Sequence, residues 1–367
     1  MQGFNNFLFY LIFILKIILL VPAPANISPG QRFRFEHYLG LKDANGKEFI
    51  TKSFFSNYSW RLLHVNNHLI KKSIGVLSGF IKRFLILFKL YKYDFVYIYR
   101  EAAPIGPPIF EWLIGKVFRK KIIYDFDDAI WVSAFSSANP LARYIKCSWK
   151  VSYICRWSHI ISAGNQFLAD YAKQFCKDVR IIPTVVNTVT KHNRLKNQDI
   201  LPLTIGWTGT FTNFAYLDII IPSIKKLQEN YNFIFLIIAN KDPLYKEIQY
   251  VYKQWDVNTE IEDLLKMHIG VMPLGNTVLE QGKCAFKAIQ YMSLGIPAVV
   301  SQVGVNKEVV TDGVNGYWAN NENEWYDKLA FLLKNAEARS NLGKKAREFI
   351  ILNYSVESTK KDFFNLF

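Results

Sequence analysis

The chain has 367 residues, half of them hydrophobic, with 29 Phe and 20 Tyr, which excludes a disordered or fibrous polymer and gives room for two domain cores. Its net charge is +15, from 45 Lys+Arg against 30 Asp+Glu. Residues 1–200 hold 28 basic and 12 acidic side chains, and residues 201–367 hold 17 and 18, so the whole surplus belongs to the first half. Such a surplus calls for an anionic partner: nucleic acid, a membrane surface or a phosphorylated ligand.

Phe7 to Val21 is an apolar run interrupted by Lys16, too short to span a bilayer, which takes about 20 residues. Ala23-Pro24-Ala25 resembles a signal-peptide cleavage site, yet no basic residue precedes the run. Lys16 to Val21 also reads as a buried parallel strand. We expect that strand to be retained, with residues 1–15 as a hydrophobic extension. A helix is expected over Gly30–Leu41, a strand over Glu48–Phe55, and a long Lys/Arg-strewn helical region over Trp60–Leu90. The spacing then predicts strands at Phe95–Tyr99, Lys121–Phe126, His159–Ser162 and Val179–Ile182. Helices at Pro108–Phe118, Leu141–Ile154 and Asn165–Phe175 separate them. Thr188 to Leu201 is polar, basic and aperiodic, and residues 191–201 serve as the linker. The alternation restarts with strands at Leu203–Trp207, Phe233–Ala239, Ile269–Met272 and Ala298–Ser301. Helices are expected at Phe214–Gln228, Lys283–Leu294, Glu324–Ala336, Glu337–Asn353 and Ser355–Phe367. Alternation of this kind implies an α/β fold: two doubly wound parallel-sheet domains, residues 16–190 and 202–350, facing a ligand cleft, with residues 351–367 as a terminal helix.

His64 and His68 lack the glutamate of a zinc-protease helix, so they read as ordinary helix residues. The four cysteines form no C-x-x-C pair, which fits reduced thiols better than zinc or disulfides. No metal site is expected.

Three segments carry chemistry. Gly206-Trp207-Thr208-Gly209-Thr210 follows a strand and precedes a helix, as a phosphate-cradling turn does, although tight packing explains such a turn equally well. Gly282 to Met292 is expected to open a helix whose Lys283, Lys287 and Gln290 share one face. Two cations there oppose the helix dipole, a cost of roughly 0.3–1 kcal/mol each that a bound diphosphate would reverse. Asp125, Asp127 and Asp128 stand at the carboxyl end of a strand, where parallel sheets place ligands, with Arg100 and Glu101 ending the strand before. Arg32 or Arg34, beside Gly30 and after the first strand, could clamp a phosphate or lie on a plain surface helix. Finally, Lys71, Lys72, Lys82, Arg83, Lys89 and Lys92 alternate with Ile, Leu and Phe. That pattern suits an anionic membrane surface better than nucleic acid.

Together these segments resemble bacterial glycosyltransferases of family 4, the glycosyl transferases group 1, and within it a subgroup with G-K-C-x-F-K-x-I-Q-Y-M-x-x-G-x-P, here Gly282 to Pro297. Ile269 to Leu274, Ile205 to Gly209, Tyr124 to Trp131, Arg100 to Pro108, Gln31 to Arg34 and Ile182 to Asn187 fit as well. The resemblance implies a GT-B architecture, with the nucleotide-sugar donor on the second domain, the acceptor on the first and a terminal helix crossing back. It implies retaining transfer to a glycan or lipid-linked acceptor, without an essential metal or cofactor, in surface polysaccharide or glycolipid synthesis. The basic surplus of the first half places the expected site of action in the cytoplasm at the inner face of the plasma membrane. The implied donor residues are Gly206, Thr208, Gly209, Thr210, Lys283, Lys287 and Gln290. Asp127, Asp128 and Lys287 are the catalytic candidates, and Gly30, Arg32, Arg34, Arg100 and Glu101 line the acceptor side. The chain departs from the wider family in lacking its pair of glutamates eight residues apart, since Gly282 and Gln290 stand at those positions. A nucleotide-sugar epimerase and a non-catalytic binding subunit are the alternatives.

Overall fold

The computed structural model describes residues 14–41, 46–63, 65, 67–132 and 145–367. The first sheet has six parallel strands: β1 (Leu15–Val21), β2 (Lys47–Ser53), β3 (Phe95–Tyr99), β4 (Lys121–Phe126), β5 (Ile160–Ala163) and β6 (Val179–Ile181). Their order is β2-β1-β3-β4-β5-β6. β1 is therefore interior: Ile17 pairs with Phe49 on one side and Phe95 on the other. Residues 17–21 are all buried, so removing the chain up to Ala25 would take out a central strand.

The two-residue period of the strands sorts the core. Ile18 and Leu20 join one apolar layer with Phe54, Leu87 and Phe110, while Ile17, Leu19 and Val21 join the opposite layer with Phe35, Tyr97 and Phe363.

The second sheet repeats the plan with β7 (Thr204–Gly209), β8 (Ile234–Ala239), β9 (Val251–Gln254), β10 (Ile269–Met272), β11 (Ala298–Val300) and β12 (Gly316–Trp318), in the order β12-β11-β10-β7-β8-β9. β9 and β12 were not expected from the sequence. Both are edge strands, three or four residues long and part-exposed, so no apolar run marks them.

The chain crosses between the halves first between β6 and β7 and again after the helix Ala336–Asn353, and helix Val356–Phe364 then lies on the first sheet, as expected. Tyr38 stacks on Phe363 with ring centroids 4.3 Å apart, and its hydroxyl meets Thr359 Oγ1 at 2.7 Å. The two crossings touch where the Val356 N–H donates to the Val186 carbonyl at 3.0 Å.

Three helical expectations need correction. The region Trp60–Leu90 divides into Asn57–Leu63 and Leu69–Leu87, because His68 takes a left-handed conformation, φ 63°, before the second helix. His68 is thus a helix-capping residue, and His64 lies outside the described residues. The helix expected over Gly30–Leu41 ends at Arg34 and is followed by a 3-10 turn, Glu36–Tyr38. The helix expected from Lys283 starts at Phe286, after a left-handed Ala285 with φ 51°. Lys283 therefore precedes the helix, and the three-residue stripe with Lys287 and Gln290 does not exist as one helical face.

Candidate functional site

In each sheet the strand order reverses once, between β1 and β3 and between β7 and β10. In open parallel sheets, ligands bind beyond the strand carboxyl ends at such a reversal. Gly30 and Arg100 follow the reversal strands of the first sheet, with Asp127 and Asp128 after the adjacent β4. In the second, Gly209 ends β7, and Thr210 and the loop carrying Lys283 follow the reversal strands. The two sets meet. Cys284 Sγ donates to the Asp127 carbonyl at 3.2 Å, and Asn165 Nδ2 donates to the Gly282 carbonyl at 3.1 Å. A Cβ placed on Gly282 would lie 2.7 Å from that of Ala129.

On the first side, Asp127 is the hub. Its Oδ1 accepts from Tyr99 Oη at 3.0 Å and Arg100 Nε at 2.9 Å, and forms an ion pair with the same guanidinium at 2.8 Å. Gly30 has no room for a side chain, since a Cβ would stand 2.4 Å from Tyr99 Oη and 3.5 Å from Asp127 Oδ2. Arg100 itself has φ 60°, a strained backbone for a residue with a Cβ, held by its N–H donating to the Asp125 carbonyl at 2.7 Å. Burial pushes the Asp127 carboxyl up, but the charges of Arg100 and Arg34 and the hydrogen bonds from Arg100 and Tyr99 hold it below its usual range. Such a carboxylate is a weak proton acceptor, and its contribution is electrostatic. Asp128 differs: among the described residues its side chain accepts the neighbouring Ala129 N–H, at 3.1 Å, and has no ion pair.

Several expected site residues have other work. Arg34 is fully buried and bidentate with Asp125, at 2.6 and 3.1 Å, with further bonds to Ser162 and the Ile182 carbonyl, so it clamps no phosphate. Arg32 is bidentate with Glu260 of the second half at 2.9 and 3.0 Å, an ion pair across the domains. Glu101 is tied to the buried Lys150 at 2.7 Å. Gln290 is 2% exposed and its amide lies 3.5 Å from the same Glu260. Gly206 lies within β7, where a Cβ would come 2.2 Å from Met267 Cγ; it is a packing glycine. The cradling turn shrinks to its last residues, because β7 runs to Gly209. Thr208 N–H donates to Tyr291 Oη at 2.9 Å, and the exposed Thr210 hydroxyl meets that of Thr212 at 2.7 Å.

The second side keeps two cations in reserve. Lys287 Nζ stands 5.7 Å from the Trp207 ring centroid and Lys283 Nζ 5.5 Å from that of Tyr216. Among the described residues neither has a carboxylate partner. Burial, then the like charge of Lys283, draws the Lys287 ammonium down to about 7, against the pull of Asp128. A Cβ on Gly209 would sit 3.1 Å from Lys287 Cε, so the glycine opens the path of that stem. The Cys284 thiol is pushed up to about 12 by burial and by Asp127, which makes it an inert packing group. Glu280 caps the helix Val278–Gln281 through Thr277 and accepts from Tyr216 Oη at 2.5 Å. No group of three or more metal-ligating side chains occurs among the described residues.

Sequence reading missed Tyr99, Asn165, Trp207, Tyr216 and Glu260. The rule that strand carboxyl ends face the ligand could have found Tyr99 and Asn165. Glu260 sits on a five-residue helix with no periodic signal.

Residues 204–349 match the family described as glycosyl transferases group 1. The poly(ribitol-phosphate) alpha-N-acetylglucosaminyltransferase of Staphylococcus aureus is 27% identical over 215 residues, 54% of this chain and 41% of that one. The chain spans 42% and 41% of the lengths of the curated relatives it matches. Among solved structures, a sucrose-phosphate synthase from Thermosynechococcus elongatus superimposes with a TM-score of 0.67 at 13% identity, covering 96% of this chain and 98% of that one. Anabaena HepE, solved in complex with UDP and glucose, superimposes with a TM-score of 0.65 at 11% identity, covering 96% and 98%. The fold is GT-B.

Proposed function

We propose that the protein is a glycosyltransferase of group 1 that moves a sugar from a nucleoside-diphosphate donor to an acceptor hydroxyl. The observation that carries this reading is the pair Lys283 and Lys287, two cations at the domain cleft that face aromatic rings and form no ion pair among the described residues. In the transfer, the bond between the anomeric carbon and the diphosphate oxygen breaks and a bond to the acceptor oxygen forms, with loss of the acceptor's proton. Charge builds on the departing diphosphate, and Lys287 and Lys283 neutralise it where water is scarce. A diphosphate there also restores the Lys287 ammonium that burial disfavours. Asp128, with no ion pair among the described residues, is the carboxylate within electrical reach of Lys287. Asp127, Arg100 and Tyr99 shape the acceptor side.

The same reading takes the transfer as retaining and metal-independent, with a glycan or lipid-linked acceptor of surface polysaccharide or glycolipid synthesis. The match to the S. aureus poly(ribitol-phosphate) alpha-N-acetylglucosaminyltransferase supports that class of acceptor, and the UDP in HepE supports a nucleotide donor. The test is a melting-temperature panel with UDP, GDP, ADP, TDP and CMP. A ligand at 100 times its Kd adds about 2.7 kcal/mol, and Lys287→Ala should abolish both the shift and transfer while the apo melting point holds. No shift from any nucleotide, or a variant with near-normal turnover, overturns the reading. A shift without transfer to any acceptor leaves a binding subunit.

A further inference from the structure

The helix Leu69–Leu87 has two apolar faces. Gly75, Gly79, Arg83 and Leu87 pack inward, and a Cβ on Gly79 would touch the Phe54 ring at 2.3 Å. Arg83 is no surface cation: its guanidinium donates to the carbonyls of Ala102, Lys52 and Val21, and burial draws it down to about 9. The opposite face carries Ile70, Ile74, Leu77, Ile81, Phe84 and Phe88 at helical spacing, all exposed, Ile70 by 78% and Phe88 by 62%. A solvated helix face would be polar there. Trp112 and Trp149, half exposed, belong to neighbouring segments over the same sheet layer, which Phe80 and Phe110 join at 5.9 Å. No acidic residue stands between Glu48 and Asp94, while Lys71, Lys82 and Lys89 flank the stripe. No helix among the described residues is long and apolar enough to cross a membrane.

We propose that this face docks the first domain on an anionic lipid bilayer, with the helix lying in the plane of the surface. The stripe enters the acyl boundary, the tryptophans lie at headgroup depth, and the lysines meet lipid phosphates. The acid-free stretch of basic residues makes anionic lipid the complementary partner and disfavours a second copy of the same positive face.

Flotation of the full chain with phosphatidylcholine vesicles, alone or with phosphatidylglycerol, tests this. The expected result is retention that needs phosphatidylglycerol and falls with salt. Ile74→Asp with Leu77→Asp and Ile81→Asp should lower partitioning by about 100-fold, and Lys71→Glu with Lys82→Glu and Lys89→Glu by roughly tenfold or more. All these side chains point outward, so circular dichroism and the melting point of the variants should match the parent chain. Absent binding, equal binding to neutral vesicles, or unchanged flotation of the aspartate variant, which would put the contact elsewhere such as residues 1–13, overturns the proposal. So does a lipid-free dimer in sedimentation equilibrium that the aspartate variant dissociates.

Discussion

At the carboxyl ends of the first sheet, Arg34, Arg100 and Lys150 each have a carboxylate: Asp125, Asp127 and Glu101. At the corresponding end of the second sheet, Lys283 and Lys287 face the rings of Tyr216 and Trp207 and have no ion pair among the described residues. The contrast runs against the bulk charge, since the half with the surplus of cations pairs them at the cleft and the near-neutral half leaves two unpaired. A paired cation holds loops in place; an unpaired one, kept at a cost in desolvation, is held for a ligand. Part of the surplus lies elsewhere, beside the apolar stripe of the helix Leu69–Leu87.

The largest expected effect breaks the paired side. Asp125→Ala leaves the buried Arg34 without its bidentate partner, which should cost about 3–5 kcal/mol of folding stability, read by urea denaturation. A loss below about 1 kcal/mol, the range of surface pairs, would remove the distinction drawn between the two ends. A smaller effect sharpens the unpaired side. In Gly209→Ala the new methyl group would meet Trp207 at 2.4 Å and Lys287 Cε at 3.1 Å. Overpacking of that kind costs about 1–3 kcal/mol, and nucleotide affinity should fall with it because the lysine stem is displaced. A variant with parent-like stability and affinity would show that Gly209 has no part in placing Lys287.

The fold was legible because interior parallel strands are continuous apolar runs, as Lys16 to Val21 and Phe233 to Ala239 show. β9 and β12 escaped because an edge strand needs neither length nor burial on both faces. At the site, residue type and strand-end position pointed to Asp127, Arg100 and Lys287. Which charges would pair was hidden, since Arg34 and Asp125 are 91 residues apart in sequence and Arg32 and Glu260 are 228. The start of the helix at Phe286 was equally hidden. It depends on a left-handed Ala285, and nothing about alanine predicts that conformation.

The subtlest effect separates the two sides by titration. The Asp127 carboxyl, held low by Arg100, stays ionised between pH 6 and 8, and the half-buried His37 and the buried His192 and His268, drawn down to about 4, 3 and 4, stay neutral there. Lys287, at about 7 against an ordinary 10.5, changes charge within that window. Below pH 7 it is an ammonium that favours a diphosphate; above, it is a neutral amine that does not. Diphosphate affinity should therefore weaken as pH rises from 6 to 8, by at most about tenfold per pH unit for one proton. Stability without ligand moves the other way: between about pH 7 and 10.5 the unfolded chain binds more protons at this lysine than the folded one, so its contribution to stability rises with pH. Lys287→Arg keeps its charge throughout and should flatten the affinity profile. Calorimetric titration of UDP at pH 6, 7 and 8 into both proteins reads the difference, which isolates the lysine from the nucleotide's own terminal phosphate. Parallel profiles for the two proteins would mean that Lys287 does not meet the diphosphate.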